Sequence, residues 1–419
     1  MALFLNNNMR LLYNMAIALF DIAIKIAAPF NVRASLISKG RKAVWRQLSD
    51  ASLQGNIVWI HCASLGEFEQ GRPLIEAIRE AQPDYKILLS FFSPSGYEVR
   101  KNYSYADVVC YLPSDTKRNA RRFIKMANPK LVFFVKYEYW YHYFKELKRE
   151  GIALYSVSSI FRDEQIFFKW YGAWFRKILS CVRLFYLQDE KSAGLLKSIG
   201  LNNYVVAGDT RFDRVRAIAA AAAALPDLED FAKGARVMVA GSSWPADEAI
   251  LSDFVNSAAK DVKLIIAPHE VHEAHLAQLE ERFRVPVYRY SKQKGNIASD
   301  ARVLIIDTIG LLSSIYRYGS VAYIGGGFGK GIHNTLEAAT YGMPVIFGPN
   351  HLKFKEALDL KELGAGFSIS DKKDFLAVIN KLWNQEDDKA LKAAGMAARE
   401  YVESKCGATE QILKEIGAR

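Results

Sequence analysis

Cysteine is scarce in this chain. Cys62, Cys110, Cys181 and Cys406 stand far apart, with no CxxC pair and no Cys/His spacing, so neither a disulfide framework nor a zinc site is expected and a reducing compartment fits. No GxxxxGK[ST] loop is present, and no glycine-rich turn follows the first strand-like run with an acidic residue beyond the second. Those absences argue against P-loop hydrolysis of ATP and against nicotinamide-dependent redox chemistry. No DxD-like pair stands at a strand end, and His269, His272 and His275 are spaced to spread around a helix instead of converging, so no metal and no cofactor are expected. The N-terminus lacks a basic stretch before its apolar run and a small-residue cleavage site after it, so no cleavable leader is expected.

The 419 residues are 50% hydrophobic, enough for two cores. Lysine and arginine number 56 against 45 acids, a net charge of +11 that favours a polyanionic neighbour: nucleic acid, an acidic membrane surface or a phosphorylated substrate.

From Leu11 to Phe30 the chain is apolar except for a stripe. At 100° per residue, Arg10, Asn14, Asp21 and Lys25 fall within an arc of roughly 60°. Such a helix can lie in a membrane interface with its stripe docked on protein, with Arg33, Lys39, Arg41, Lys42 and Arg46 reaching anionic headgroups. A single span and a buried core helix are the alternatives.

Beyond Asn56, short apolar runs alternate with helical patterns. NIVWIHCAS, KILLSFF, DVVCYLP, KLVFFV, ALYSVSS, LFYLQD and YVVAGD form one series; ARVMVAGSS, VKLIIAPH, ARVLIID, SVAYIGGG and MPVIFG form a second. The fold class is α/β, with two doubly wound parallel sheets. The expected divisions are a membrane-associating helix and basic linker over 1–45, a first domain over 46–215, a linker over 216–230 and a second domain over 231–419. The last helix is placed against the first domain.

Ligands of open α/β sheets bind beyond the carboxyl ends of the strands, so residues just after each strand carry most interest. Glu67, after the first run, has two readings: a carboxylate at the crevice that accepts a proton from a hydroxyl, and the closing residue of a Ser64-Leu65-Gly66-Glu67 capping box. Between Gly325 and Gly331 lie five glycines, including Gly326 and Gly327, where backbone can approach an anion closely. A helix beginning near Asn334 is expected to offer its N-terminus to phosphate, with Glu337 on ribose hydroxyls. Arg211 can pair with Asp209 or Asp213, or face a substrate.

Taken in order, these elements resemble the 3-deoxy-D-manno-octulosonic acid (Kdo) transferases of lipopolysaccharide biosynthesis. His61 to Glu67 is similar to the family's His-x-x-Ser-x-Gly-Glu, Ser93-Pro94-Ser95-Gly96 to Thr-Pro-Thr-Gly, Tyr111 to Asp115 to Tyr-Leu-Pro-x-Asp, and Glu138-Tyr139-Trp140 to an acid before a bulky residue and Trp. Gly208 to Asp213 resembles Gly-x-x-Lys-Phe-Asp with Arg211 for lysine. Asp307 to Gly310 matches Asp-Thr-x-Gly, and Gly331 to Glu337 resembles Gly-Gly-His-Asn-x-Leu-Glu with Ile332 for the second glycine. Gly348-Pro349 also matches. The chain departs from the pattern at Pro268-His269-Glu270, where the family has Pro-Arg-His, at Leu311, which replaces an acid, and at Lys136, which does the same. The Asn-Ala-Arg element is not recognisable around Ser158 to Arg162.

The resemblance implies a GT-B fold, two Rossmann-like domains facing a central cleft, and an inverting transfer of Kdo from CMP-Kdo to a lipid A precursor of lipid IV-A type. It implies Glu67 as base and Glu138 and Arg211 as transition-state support. Pro268, His269, Ile309, Gly310, Leu311, Asn334, Thr335, Leu336 and Glu337 become donor contacts beside Gly326 and Gly327; Ser64, Gly66, Ser93, Ser95 and Gly96 fall on the acceptor side. The expected partners are CMP-Kdo, a lipid A precursor and an anionic membrane surface, not nucleic acid, at the cytoplasmic face of a bacterial inner membrane. Another GT-B transferase or an epimerase is the enzymatic alternative. A non-catalytic membrane-surface binder is the other, kept open by basic and aromatic stretches such as Phe167 to Trp170.

Overall fold

The computed structural model describes residues 2–384 and 386–417. The chain divides into two compact units, Met1–Asp213 with Gly407–Arg419, and Arg214–Cys406.

The sheet of the first unit contains β1 (Ile57–Cys62), β2 (Lys86–Phe91), β3 (Val108–Tyr111), β4 (Leu131–Val135), β5 (Ala153–Ser159), β6 (Leu184–Leu187) and β7 (Tyr204–Val206). All pairs are parallel, in the order β3-β2-β1-β4-β5-β6-β7. Every residue of β1 is buried, as a strand covered on both faces requires. The second unit repeats the plan with β8 (Arg236–Ser243), β9 (Val262–Pro268), β10 (Val287–Arg289), β11 (Val303–Ile305), β12 (Val321–Ile324), β13 (Val345–Phe347) and β14 (Gly366–Ser368), ordered β10-β11-β9-β8-β12-β13-β14 and again parallel. Strand order reverses between β1 and β4 in the first sheet and between β8 and β12 in the second. Those two points are where an open α/β sheet opens a crevice for ligand.

Twelve of the strands coincide with the apolar runs of the sequence. The other two, β10 and β14, are three residues each and lie at sheet edges, where Val-Tyr-Arg and Gly-Phe-Ser supply no run long enough to read.

Helix α1 (Ala2–Ala27) docks on the first unit by its polar stripe. The Tyr13 hydroxyl donates to Asp115 at 2.6 Å, Asn14 meets His142 Nε2 at 2.7 Å, and Asp21 pairs with Arg41 at 3.1 Å. The opposite face is apolar and open: Leu11, Leu12, Met15, Leu19, Ile22 and Ile26 are each half or more exposed. Among the described residues no single helix is long and apolar enough to cross a membrane; Asn8–Ala27 and the next helix, α2 (Val32–Asp50), meet that measure only as a pair bent by 117°. Arg41, expected at headgroups, is committed inward: it also donates to Ser114 and lies over the Phe92 ring, 5.0 Å from its centroid. Its partners are desolvated with it, so it is unavailable to lipid.

Asp115 ends a motif yet works as a structural anchor. Its carboxylate accepts from the Tyr13 hydroxyl and from the backbone N–H groups of His142 and Tyr143, closing the start of helix Tyr141–Arg149, and burial pushes its pKa up to about 6.

Helix Thr210–Ala221 leads into the second unit. The chain returns at Gly407, and helix Ala408–Glu415 buries Ile412 and Leu413 in the cluster that holds Phe68, Leu74, Ile75 and Ile78 of helix α3 (Leu65–Ala81). Asp213 fixes this return by accepting from the Gly407 N–H at 2.5 Å and the Thr409 N–H at 2.7 Å.

Candidate active site

In the first unit the loops after β1 and β4 meet at the switch point. Glu67 sits in the first turn of α3 and is 8% exposed. Its carboxylate accepts from the Ser64 N–H at 3.1 Å, so the capping geometry is real. The capping bond does not exhaust this carboxyl. Burial, and after it the charge of Glu138, push Glu67 up to about 7, against the opposing pull of the Ala63 and Ser64 N–H groups and Lys136. A carboxyl poised there is half ionised at neutral pH, which suits proton transfer from a hydroxyl.

Glu138 is held by a strained turn. Lys136 has φ of +63°, and its carbonyl is surrounded by the hydroxyls of Tyr139 (3.2 Å), Ser156 (3.4 Å) and Ser159 (3.3 Å). Backbone strain of this kind persists only where neighbours over-determine it. Glu138 Oε2 lies 3.9 Å from His61 Nε2, and both are buried without a hydrogen-bond partner, as is Trp140 Nε1. The other face of the His61 ring is fixed, Nδ1 lying 2.9 Å from Ser90 Oγ, which also accepts from Trp59 at 2.7 Å. Two unsatisfied polar atoms facing each other, one on the acid whose charge raises Glu67, mark a place where a polar group can be received.

Arg211 pairs with Asp209: its side chain reaches the Asp209 carboxylate at 2.9 Å, and its backbone N–H donates to the other oxygen at 2.9 Å. The same carboxylate accepts from Gln70 at 2.9 Å, one turn beyond Glu67 on α3, so the arginine is registered against the helix that carries Glu67.

On the β2 side, the Ser93 N–H donates to the Ala63 carbonyl at 2.9 Å, tying this loop to the one after β1, and Ser93 and Ser95 share a hydroxyl bond of 2.7 Å. Gly96 is set by packing, since a Cβ there would lie 2.3 Å from the Phe91 ring. Gly66 faces solvent beside Ser64. Phe92 stacks on Trp140 at 5.3 Å and on Phe20 of α1 at 5.9 Å, a row of rings joining the rim of the site to α1.

In the second unit the glycine run follows β12. Gly327 packs face to face with Gly348, a Cβ at Gly327 falling 2.5 Å from the Gly348 nitrogen, which accounts for both glycines together. The Gly326 N–H is taken by Asp247 at 2.9 Å. The helix expected from Asn334 is a single turn, Leu336–Ala339, so its dipole is small; the Leu336 N–H is already satisfied by Asn334 Oδ1 at 3.1 Å, and Asn334 donates to Glu337 at 3.0 Å. Thr335 and Leu336 point into the core. Around the rim, Pro268 ends β9, Ile309 is 89% exposed, Gly310 turns with φ of +96°, and Leu311 directly precedes the four-residue helix Leu312–Ile315; Asp307 is tied to Ser291. The three spaced histidines go three ways. His275 binds Glu248 at 3.0 Å, His272 caps the helix Glu273–Glu281, and His269 stacks on Trp244.

Sequence reasoning passed over His61, Ser90, Trp244, Asp247 and His333. His61 and His333 stood inside quoted motifs without a role. Trp244-Pro245-Ala246-Asp247, a helix start directly after β8, was the available signal for the other switch point.

A sequence model of the 3-deoxy-D-manno-octulosonic-acid transferase (kdotransferase) family matches residues 35–214. The 3-deoxy-D-manno-octulosonic acid transferase of Aquifex aeolicus is 26% identical over 339 residues, covering 78% of this chain and 85% of that one. The protein of the same name from Rickettsia felis is 24% identical, covering 88% and 80%. Among solved structures, the UDP-GlcNAc 2-epimerase of Neisseria meningitidis superposes with a TM-score of 0.54 at 12% identity, over 86% of this chain and 100% of that one. MurG of Acinetobacter baumannii gives 0.53 at 11%, over 87% and 100%. These two likenesses establish a GT-B-like two-domain architecture and nothing finer. Residues 35–214 thus match the model of that family, and the chain is a glycosyltransferase related over most of its length to proteins of that name.

Proposed function

We propose that the chain moves Kdo from CMP-Kdo to a lipid A precursor of lipid IV-A type, with inversion, without a metal, and with release of CMP. The observation that carries the reading is Glu67, a carboxyl raised to about 7 beside the unpartnered His61 Nε2 and Glu138 Oε2. Its ionised form takes the proton from a primary hydroxyl of the glucosamine disaccharide. The hydroxyl oxygen bonds to the anomeric carbon of CMP-Kdo from the face opposite the nucleotide. The bond from that carbon to the phosphate oxygen breaks, and its electron pair leaves with CMP. Arg211, held by Asp209, answers the Kdo carboxylate or the charge developing on the phosphate. The donor is assigned to the second unit, with the glycine loop after β12 at the phosphate and Glu337 at the ribose.

The test mixes the protein with CMP-Kdo and a lipid IV-A type acceptor. CMP release only when both are present is the expected result; release without acceptor, or turnover of a UDP-sugar instead, refutes the reading. Glu337→Gln is expected to raise KM for CMP-Kdo roughly tenfold with little change in kcat, as loss of a ground-state contact does; initial rates over a donor series check it.

An anionic membrane surface, at the cytoplasmic face of the inner membrane, is the proposed setting. The open apolar face of α1 supports it, as does the cavity of about 570 Å³ beside the helix, lined by Arg10, Lys117, Arg121, Lys145, Lys148 and Arg149. His142 registers that positive field. Burial, then the charges of Arg10, Lys145 and Lys117, push it down to about 4. Leu19→Glu with Ile26→Glu places two charges on the open face without touching the docked stripe. Cosedimentation with anionic vesicles should fall by tenfold or more, at roughly 25 cal/mol per Å² of apolar surface no longer buried plus the charge penalty, with thermal stability unchanged.

A further inference from the structure

His333 has no part in the reaction as derived so far, yet its surroundings are unusual. It is half-buried, and its ring lies against the glycine turn: a Cβ at Gly326 would sit 3.1 Å from it. Its ring stacks on His269 at 4.7 Å and 28°, and His269 stacks on Trp244 at 4.5 Å and 22°. The column is then closed by a hydrogen bond, the Trp244 indole donating to His333 Nε2 at 3.3 Å. An indole N–H can only donate, so that nitrogen carries no proton and the imidazole is neutral.

The facing groups keep it so. Burial, and after it His269, lower the pKa of His333; Asp247 pulls the other way. The Asp247 carboxylate is already shared among the Gly326 N–H, the Trp244 N–H and the Tyr323 hydroxyl. Of the remaining charged neighbours in sequence, Glu270 is engaged with His272 and Glu337 with Asn334, while Lys330 lies in the same glycine loop. An added negative charge at the glycine turn changes this balance, since the imidazolium would then gain a charged acceptor.

We infer that His333 is a conditional cation for the donor's phosphate: phosphate and the Trp244 indole compete for the same ring nitrogen, and when phosphate wins, His333 takes up one proton from solvent and Trp244 is released. The inference rests on the CMP-Kdo reading and adds to it a residue and a proton.

The full-length protein is titrated with CMP by calorimetry at about pH 7.5 in two buffers of different ionisation enthalpy, which reads proton uptake directly. The wild type should take up a measurable fraction of one proton per CMP. His333→Asn should bind CMP roughly tenfold more weakly near pH 6, with the gap closing above about pH 8 and the uptake gone. Trp244→Phe keeps a ring on His269 but removes the competitor, and should bind CMP about threefold more tightly with uptake retained. If the column only packs, both variants weaken CMP alike at every pH and leave uptake unchanged. That outcome, or wild-type binding with no proton uptake, overturns the inference and leaves the CMP reading standing. Failure of the wild type to bind CMP overturns both.

Discussion

Glu67→Gln is expected to lower the rate of transfer by roughly a thousandfold, the usual contribution of a positioned base, with CMP affinity held within about twofold. Glutamine is the informative change because the carboxylate has two duties. It accepts from the Ser64 N–H, and an amide oxygen still accepts there, so the first turn of α3 is retained and the loss can be read as chemistry. Alanine removes the cap as well and mixes the two effects. The pH profile carries a second check. With its pKa raised to about 7, Glu67 is protonated and inactive as a base below that point, so kcat/KM rises with pH through about 7 and then flattens. Part of that elevation comes from the Glu138 charge, so Glu138→Gln moves the rising limb to lower pH even as it removes a polar group from the site. Stopped assays of CMP release across pH measure all three quantities. Residual turnover near wild type in the glutamine variant, or a limb that Glu138→Gln leaves in place, counts against Glu67 as the base.

Gly327→Ala is expected to destabilise the second unit by about 3 kcal/mol or more and to abolish donor binding. The Cβ would lie 2.5 Å from the nitrogen and 2.6 Å from the Cα of Gly348, and backbone on both sides cannot step aside as a side chain can. Gly348→Ala meets the same obstacle from the facing loop, its Cβ falling 2.6 Å from the Gly327 carbonyl carbon. The control comes from the same run. At Gly329 a Cβ meets nothing closer than the Gly326 carbonyl oxygen at 3.6 Å, so Gly329→Ala should cost under about 1 kcal/mol. Denaturant unfolding of the three variants separates a requirement for close approach from a general preference for glycine. Equal losses at positions 327 and 329 would mean that the loop, not the contact, sets the cost.

The frame of both sheets was legible because a strand buried on both faces is written as a nearly unbroken apolar run, and β4, β11, β12 and β13 are unbroken ones. Edge strands carry no such obligation, which hid β10 and β14. The polar stripe of α1 was legible for the same kind of reason, since an arc of four polar residues on an apolar helix needs partners, and three of its residues are in hydrogen bonds or at the wall of a basic cavity. Roles at the crevices were harder. Glu67 carried two readings, with the cap the stronger from the residues alone, because it occupies one position that serves both; burial beside Glu138 is what supports the base. The glycine run announced close approach without saying to what; Gly327 needs its own backbone partner, and Gly326 gives its N–H to Asp247, 79 residues away with nothing in the local pattern to link them. The Trp244 column combines residues from three separate strand ends, which no spacing rule reaches.

The Asp213 clamp has a consequence for biosynthesis. Its backbone partners at Gly407 and Thr409 lie 194 and 196 residues further along the chain. Ribosomal synthesis therefore delivers the whole second unit before the segment that seals Phe68, Ile75 and Ile78 of α3 has emerged. Until then the helix bearing Glu67 has an open flank, and a nascent or truncated chain lacks a finished α3 however well its first two hundred residues are made. Completion of that helix thus becomes a late event in the life of the polypeptide, set by the arrival of helix Ala408–Glu415.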